Sequence, residues 1–589
     1  MSEKPRSATY AANEGPFTKE PSQAIKKLSS EEDAESLSSE AQGGVQAMEA
    51  TAKVWTQATL IVAYVFIWVI YFVDSMQMGT TGLLTPYVTS NFALHSLTPT
   101  VGIMSSIIGG VSKLTLAKIL DVFGRPQGYL ISVLLATLGL VMMAATKNVE
   151  MFAAAQVFYW VGMNGIGYAL SVALADMSSL KNRGLALAFS TSPFIITTWL
   201  NGRIAAAFYK VHPDGTNSGP GFRWAFGAFS IITPAVTLPL FVLFVFNLRK
   251  AIKLGVITKA QSTRTPLQSF VHYCREFDIV GLLLISAGLS IFLLPFNIYS
   301  FQSQEWRAPI VICFFIFGGL LIIGFAVWEK YFAPVKFLPY ELLLDRTVLG
   351  SCVLPAISFI SFYIWNSFFG SFLQVVMDLD LTTTGYITQT YNVGSCFFAL
   401  IVGLLIRHTG NYKWPVLFFG LPITVIGVGT MIKFRAPGTN IGFIVMSQIF
   451  VAFGGGTNVV CQQVAIMSVV KHQHIAVVLA IQSMAASIGG GIGRSISGAI
   501  WQGVFPGKLR EYLPEAESHN WAKIYGDITV QLSYPVGSPT RSAIQAAYAD
   551  GQRAMLIGAT AIFAIGFVAV AFWRNINVKS IKQVKGLVF

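Results

Sequence analysis

Long apolar stretches separated by short polar connections make up most of the chain after about residue 52. A helix needs about 20 apolar residues to cross ~30 Å of hydrocarbon, and lipid offers no partner for an unpaired backbone. The pattern therefore predicts about fourteen transmembrane helices. The predicted spans are residues 57–77, 98–117, 127–146, 151–175, 184–208, 224–247, 278–298, 308–328, 348–376, 385–406, 414–432, 440–465, 476–501 and 554–573.

The composition supports an all-α protein that crosses a membrane many times. Of the 589 residues, 54% are hydrophobic and 11% are charged, whereas soluble proteins carry about 25% charged residues. This deficit excludes an ordinary soluble enzyme. The net charge of +13 comes from basic residues spread between apolar stretches instead of clustered on one face, so we expect contact with membrane lipids and none with nucleic acid.

The spans group into two bundles joined by two further helices. Residues 1–52 are rich in Ser, Glu, Lys and Ala and predict a disordered cytosolic tail. The other predicted parts are a six-helix bundle at 53–247, a basic cytosolic loop at 248–277, two additional helices with a linker at 278–346, a second six-helix bundle at 347–573 and a basic tail at 574–589. The second bundle includes a long outside loop, 502–553, which either caps the outer mouth or only connects two spans.

Basic residues in the predicted loops indicate the orientation. Twenty lie in loops on the side of the N-terminus or in the C-terminal tail, whereas the short loops opposite hold six. These six are Lys147, Lys210, Arg223, Arg307, Lys433 and Arg435. Because basic loops stay inside, both termini are predicted to be cytosolic. We expect a monomer in the plasma membrane, with an endosomal or vesicular membrane as the alternative.

The chain also resembles itself. The stretch QVFYWVGMNGIGYALSVALAD from Gln156 aligns without gaps with QIFVAFGGGTNVVCQQVAIMS from Gln448. Spans 5 and 13 each carry a Gly-Arg pair, Gly202-Arg203 and Gly493-Arg494, at nearly the same offset. Two features at one offset favour an internal duplication, which is typical of transporters with a central site between two halves.

Catalytic, cofactor and metal-binding signatures are not evident. The five cysteines form no CxxC pair, and the seven histidines all fall between apolar stretches. The sequence also lacks a GxxxxGK[ST] nucleotide-binding loop. We therefore predict a protein that is not an enzyme, needs no cofactor and moves its substrate on an ion or substrate gradient.

The connection between spans 2 and 3 reads AKILDVFGR, from Ala117 to Arg125. It resembles the signature of the major facilitator superfamily, G-x-x-x-D-x-x-G-R, with Ala117 in place of the first glycine. Asp121 and Arg125 are four residues apart across a helix end, and Gly124 permits the turn. The resemblance implies a major facilitator fold and a cytosolic latch formed by Asp121, Gly124 and Arg125. The corresponding stretch in the second half, 403–413, lacks the aspartate.

Three separated stretches are similar to one family within that superfamily, the fungal siderophore–iron transporters. They are AQGGVQAMEATAKVWT (41–56), DRTVLGSCVLPAISFISFYIWNSFFGSFLQVV (345–376) and YPVGSPTRSAIQAAYADGQRAM (534–555). The resemblance implies proton-coupled import of ferric siderophores, mostly hydroxamates. Alternatives are a proton-driven drug or metabolite exporter, a glutathione–proton exchanger and a receptor that transports nothing. Span 5 lacks the G-x-x-x-G-P run that exporters usually show.

Aromatic and amide residues within the spans are candidates for substrate binding. A siderophore fills the coordination sphere of its own iron, so the protein needs a wide cavity instead of metal ligands. The candidates are Tyr64, Trp68, Tyr71, Trp160, Asn164, Tyr168, Tyr363, Trp365, Asn366 and Phe369. The alternative for each is helix packing or an interfacial aromatic belt.

Ionisable residues within spans are costly and therefore functional candidates. Asp74, in the outer part of span 1, is the candidate for proton coupling; the alternative is a carboxylate at the outer interface. Arg203 and Arg494, near the outer ends of spans 5 and 13, either bind substrate oxygens, pair with Asp74 or bond to helix ends. Asp176 and Arg183, beside the loop after span 4, form a cytosolic gate pair or lie on the surface.

Overall fold

All regular secondary structure in the described residues is helical. The structure is a computed structural model that describes residues 51, 54–91, 98–208, 219–254, 265–299, 302–334, 340–470 and 474–580. All of them belong to one unit, Gln42–Phe589. Of the predicted disordered tail, residues 1–52, the structure describes only position 51. Of the predicted basic tail, residues 581–589 lie outside the described residues.

The first half of the chain and the two additional spans contain eleven of the described α-helices. They are α1 (Gln57–Asn91), α2 (Thr98–Val122), α3 (Arg125–Ala144), α4 (Val149–Met177), α5 (Leu180–Thr191), α6 (Pro193–Phe208), α7 (Phe222–Lys253), α8 (Pro266–Glu276), α9 (Ile279–Leu293), α10 (Pro295–Ile298) and α11 (Pro309–Val327). A 3₁₀ turn at Glu305–Arg307 precedes α11, and a π-helical turn at Trp328–Phe332 follows it.

The second half contains the remaining described helices. They are α12 (Tyr340–Leu343), α13 (Arg346–Asn366), α14 (Phe369–Val375), α15 (Leu381–Thr388), α16 (Thr390–Thr409), α17 (Lys413–Pro415), α18 (Leu421–Phe434), α19 (Ile441–Ser468), α20 (Ile475–Tyr512), α21 (Trp521–Gly526), α22 (Ile528–Ser533), α23 (Pro539–Ala561) and α24 (Phe563–Ala571). A π turn at Val416–Gly420 joins α17 to α18, and 3₁₀ turns lie at Glu515–Asn520 and Val578–Ser580.

Thirteen helices in the described residues are long and apolar enough to cross a membrane. They account for every predicted span except the fifth, which the structure divides into α5 and α6. Pro193 is the first residue of α6. Because proline has no backbone N–H and its ring displaces the preceding turn, a continuous helix is broken at this point.

Three helices extend furthest beyond the apolar stretches predicted for them. The first continues to Asn91, the thirteenth span to Tyr512, and the last begins at Pro539. In α20, the buried residues Trp501, Phe505 and Leu509 recur every four positions and continue the apolar face beyond the hydrophobic window. Within the predicted outside loop, 502–553, the connection between the two helices covers residues 513–538.

The same side-chain contact occurs in both halves. Gln156 Nε2 lies 3.3 Å from Met143 Sδ, and Gln448 Nε2 lies 3.6 Å from Met431 Sδ. The first contact joins α4 to α3, and the second joins α19 to α18. The two glutamines are those paired by the gap-free alignment, so the structure supports the duplication inferred from the sequence.

The two additional spans lie against α2 of the first half and α20 of the second half. Helix α9 packs on α11 and on α2. Lys118 Nζ of α2 donates to the Glu276 carbonyl at 3.3 Å, and the Phe123 ring lies 4.5 Å from the Tyr273 ring of α8. Trp328 Nε1 donates to Asp278 Oδ1 at 2.8 Å and joins the two additional spans. The signature connection is thus packed against the segment that enters these spans.

Candidate functional site

The two halves approach each other most closely through glycine. A Cβ added at Gly110 of α2 would overlap the Cβ of Ser487 in α20. One added at Gly491 would lie 2.8 Å from Ile107 Cγ1. Such spacing requires small residues, because any larger side chain at Gly110 would force the helices apart. Residues of α20 that share this face therefore lie at the boundary between the halves.

Asp74 is the central residue of the 35-residue helix α1. The sequence placed it in the outer part of a shorter span, and the helix proves to continue 17 residues beyond it. The side chain is buried, with 5% exposed. Its Oδ1 has no hydrogen-bond partner among the described residues, although a buried carboxylate oxygen ordinarily has one.

Side chains of α1 on either side of Asp74 form hydrogen bonds with other helices of the first half. The Tyr71 hydroxyl donates to the Gly167 carbonyl of α4 at 3.4 Å. Ser75 Oγ lies 2.8 Å from Thr197 Oγ1 of α6, and Thr233 of α7 donates to Gln77 Oε1 at 2.5 Å. One face of α1 thus holds three neighbouring helices through side-chain hydrogen bonds, and Asp74 lies within that face.

Neither candidate arginine forms an ion pair with Asp74 in the described part of the chain. Arg203 is exposed, and Arg494 is half-buried with its guanidinium carbon 4.0 Å above the Tyr363 ring. Tyr363 in turn packs on α20, because a Cβ added at Gly490 would lie 2.9 Å from its ring. The structure therefore brings together Tyr363 and Arg494.

The candidate aromatic residues of the first half contact helices α2, α4 and α5. Trp68 Nε1 donates to Ser192 Oγ at 3.0 Å, at the break between α5 and α6. Trp160 and Asn164 of α4 border Gly109 of α2, whose added Cβ would lie 2.9 Å from Asn164 Nδ2. The remaining first-half candidates are half-buried or buried: Tyr64 and Tyr168.

A buried arginine, Arg435, contacts two of the second-half candidates, Trp365 and Phe369. The sequence pattern had placed this arginine in an outside loop. Arg435 is only 2% exposed and donates to the Trp365 carbonyl and to Gln552 Oε1, both at 2.7 Å. Its guanidinium carbon lies 4.0 Å above the Phe369 ring. Trp365 and Phe369 are thus packing residues in this conformation, whereas Asn366 is half-buried.

Arg435 lies in the connection between α18 and α19, within the predicted outside loop, and its side chain is nevertheless buried for a local reason. Helix α18 ends at Phe434, and Arg435 follows directly as its last capping residue. The chain turns there, so the side chain points back into the bundle, where carbonyl oxygens and aromatic faces accept it. Lys433, two residues earlier, is exposed. Two basic residues this close in the chain thus differ between a buried and an exposed position.

The signature connection forms an ion pair with the end of α4. Gly124 has a φ of 107°, which favours glycine, and caps α3. Arg125 Nε lies 3.1 Å from Asp176 Oδ2, and both side chains are over nine-tenths buried. Asp176 is therefore a buried partner and not a surface charge. The side chain of Asp121, the partner expected from spacing, lies outside the described residues.

Arg183 extends this cluster toward the second half. It is fully buried, and its Nη2 donates to the Ser178 carbonyl at 3.3 Å. Its Nη1 lies 3.9 Å from Met467 Sδ of α19. The cluster lies at the end of the bundle that carries Gly124, which we name the signature end. The end that carries residues 513–538 is named the loop end.

Residues 513–538 are ordered and are held against the second half. Arg541, 1% exposed, donates to the Val375 carbonyl at 3.0 Å and to the Gln531 carbonyl at 2.6 Å. Glu517 accepts hydrogen bonds from Asn520 at 2.7 Å and from Tyr534 at 3.0 Å. These bonds hold the pKa of the Glu517 carboxyl below its usual value.

A small cavity within the second bundle is lined by residues of α13, α16, α18, α19 and α24. Ser358, Ser361 and Asn458 border it, and each has a buried oxygen without a hydrogen-bond partner among the described residues. Such a polar enclosure suits ordered water.

Comparison with known proteins identifies the family. The sequence profile of the Major Facilitator Superfamily matches residues 67–339 and 351–505. The chain is 56% identical over 552 residues to MFS siderochrome iron transporter 1 of Ajellomyces capsulatus, covering 94% of this chain and 92% of that protein. It is 41% identical over 549 residues to siderophore iron transporter mirB of Emericella nidulans, covering 93% and 89%.

A solved structure agrees in fold. The bacterial homologue of the human lysosomal transporter Spinster, in its inward-facing and occupied conformation, superposes with a TM-score of 0.52 at 13% sequence identity. The alignment covers 88% of this chain and 97% of that one. The fold, the profile and the curated relatives together show that the chain is a transporter, not an enzyme, and belongs to the fungal siderophore–iron transporter family of the major facilitator superfamily.

Proposed function

We propose that this protein imports ferric siderophores of the hydroxamate class together with protons. The names of the relatives support the substrate. The proton-coupling part of the proposal rests on the buried carboxylate of Asp74 at the centre of α1, whose Oδ1 has no hydrogen-bond partner among the described residues. Iron is the cargo within its chelate. The protein accordingly contributes a binding surface, and the siderophore contributes the metal ligands.

The proposed binding surface lies between the two halves. From the first half it includes Tyr64, Trp68, Tyr71, Trp160, Asn164, Tyr168 and Arg203, and from the second half Tyr363, Asn366 and Arg494. Aromatic faces and amides suit a large chelate of low charge. We assign Trp365 and Phe369 a supporting role, because both are buried with the Arg435 guanidinium above their rings.

Proton coupling follows from the cost of a charge at the centre of a membrane helix. An ionised aspartate there costs about 2.5–3.5 kcal/mol on insertion scales. Asp74 has no cation within ion-pair distance in the described residues to offset that cost. It is therefore expected to bind a proton when enclosed and to release it when the site opens to the less acidic side, so that proton and substrate move in the same direction.

The signature end is proposed to face the cytosol, with both termini on that side. The Arg125–Asp176 ion pair and the Arg183 contacts would then hold the cytosolic side of the molecule in one conformation. Opening toward the cytosol requires Arg183 to leave Met467 of the second half. We place the protein, as a monomer, in the plasma membrane, with an endosomal membrane as the alternative.

Uptake of iron-55 tests the proposal against its alternatives. Cells that lack their own siderophore carriers should accumulate at least one ferric hydroxamate when they express this chain, and a protonophore should abolish the accumulation. Accumulation that survives the protonophore excludes proton coupling. Efflux of drugs or of glutathione without siderophore uptake would favour the exporter or exchanger instead.

A further inference from the structure

Arg494 occupies a position that faces the partner half and α13 at once. It follows Gly491 by three residues and Ser487 by seven, and both of those residues contact α2 of the first half. It follows Gly490, which packs on the Tyr363 ring, by four. Residues three, four and seven apart lie on one side of a helix, so Arg494 belongs to the boundary between the halves.

The guanidinium of Arg494 differs from those of the other enclosed arginines. Arg125 has a carboxylate partner, Arg435 has a carbonyl and an amide oxygen, and Arg541 has backbone carbonyls. Among the described residues Arg494 contacts the Tyr363 ring, and no hydrogen bond or ion pair to another side chain or carbonyl holds its guanidinium. The side chain is half-buried, so its terminal nitrogens remain for an acceptor that comes from outside the protein.

We propose that Arg494, oriented by the Tyr363 ring, makes this transporter select chelates by the charge of their periphery. The inference rests on the proposed function and specifies its substrate class. An anionic group gains a charge-assisted and potentially bidentate hydrogen bond with the guanidinium. A cationic group meets a like charge in a desolvated site, which disfavours it. Chelates with a carboxylate are preferred over neutral ones, and neutral ones over chelates with an ammonium group.

A set of three substrates isolates charge from size and iron chemistry. The probes are the ferric complexes of one linear trihydroxamate whose terminal amine is free, N-acetylated or N-succinylated, which gives peripheral charges of plus one, zero and minus one. Initial uptake of iron-55 from each is measured in cells that lack other siderophore carriers. The wild type should take up the succinylated complex about tenfold faster than the free amine at subsaturating concentration, which corresponds to about 1.4 kcal/mol.

Variants then assign the selection to Arg494. Arg494→Gln should lose the order among the three complexes while still transporting the neutral one, and Arg494→Lys should keep the order with a smaller range. Tyr363→Phe retains the aromatic face and should keep the order as well. Lys147→Gln removes an exposed charge remote from this boundary and serves as the matched control, with the wild-type order expected. Surface expression is measured for each variant.

The possible outcomes distinguish a failure of charge selection by Arg494 from a failure of siderophore import. Equal uptake of all three complexes by the wild type overturns charge selection and leaves siderophore import intact. An unchanged order in well-expressed Arg494→Gln shows that another residue selects. If none of the complexes, nor a cyclic neutral hydroxamate, enters through a protein shown to be at the cell surface, the proposed function fails. Should Arg494→Gln not reach the membrane, Arg494→Lys and the wild-type series still decide.

Discussion

Arg125 Nε and Asp176 Oδ2 are 3.1 Å apart, in side chains that are 7% and 6% exposed. The pair joins the signature connection to the end of α4, 51 residues later in the chain. Because both charges are removed from water, removing one of them unbalances the charges of this buried cluster. The Asp121–Arg125 pair stays a prediction, because the side chain of Asp121 lies outside the described residues.

Neutralising Asp176 should therefore destabilise the protein and slow transport. We expect Asp176→Asn to lower the free energy of unfolding by about 3–5 kcal/mol, the usual cost of breaking a buried pair. Thermal unfolding in detergent and the initial rate of iron-55 uptake measure the two effects. Glu511→Gln is the matched control, because Glu511 forms an exposed pair with Lys508 and such pairs contribute less than about 1 kcal/mol. A loss no larger than that of the control contradicts a buried latch.

Close contact between the halves gives a second prediction. Gly110→Ala places a methyl group where Ser487 Cβ lies, and overpacking of this kind costs about 1–3 kcal/mol. The substitution should disfavour the conformation in which α2 and α20 touch and reduce the rate of transport. Gly227→Ala is the control, since nothing lies within 4 Å of a Cβ added there. Equal transport by both variants would show that this approach is not needed for the cycle.

The ordered segment at the loop end depends on Arg541. Arg541→Ala removes hydrogen bonds to the Val375 and Gln531 carbonyls, and bonds to a charged group contribute about 1.5–3 kcal/mol each. Limited proteolysis of the purified protein should then cut within residues 513–538 much faster than in the wild type. Arg510→Ala loses only a stacking contact with Trp521 and should change the cleavage rate slightly. Identical cleavage of wild type and Arg541→Ala contradicts the proposed anchoring.

Much of the fold could be predicted because membrane helices are marked by hydrophobicity alone. Among the described residues, thirteen of the fourteen predicted stretches correspond to helices long and apolar enough to cross a membrane, whereas the fifth is divided at Pro193. The duplication predicted from aligning Gln156 with Gln448 agrees with the matching contacts that both glutamines make with methionine. Helix ends were less predictable. Residues 502–512 contain Lys508, Arg510 and Glu511, which end a hydropathy window although the buried four-residue stripe continues the helix.

The site was harder to predict because its contacts join residues far apart in the chain. Spacing suggested Asp121 as the partner of Arg125, and only the packing of α3 against α4 brings Asp176 to it. Arg435 resembled other loop cations until the turn after α18 placed it on Trp365 and Phe369. By contrast, Asp74 was recognisable from sequence as an acidic residue within an apolar stretch, although its central depth was not.

We propose that Asp74 couples proton movement to siderophore import. We expect Asp74→Asn, reconstituted in vesicles, to exchange an iron-55 ferric hydroxamate across the membrane at a measurable rate, because exchange needs no net proton transfer. An imposed inward proton gradient should drive accumulation by the wild type and none by the variant. Asp550→Asn, which alters a carboxylate at the loop end bonded to Tyr512, is the control and should accumulate normally.

The most direct measurement is thus the ratio of gradient-driven accumulation to equilibrium exchange in Asp74→Asn and in the wild type, within the same vesicle preparation. Proton coupling through Asp74 predicts a ratio well above one for the wild type. In Asp74→Asn the ratio should fall to zero while exchange continues. Gradient-driven accumulation by Asp74→Asn at the wild-type level would contradict it.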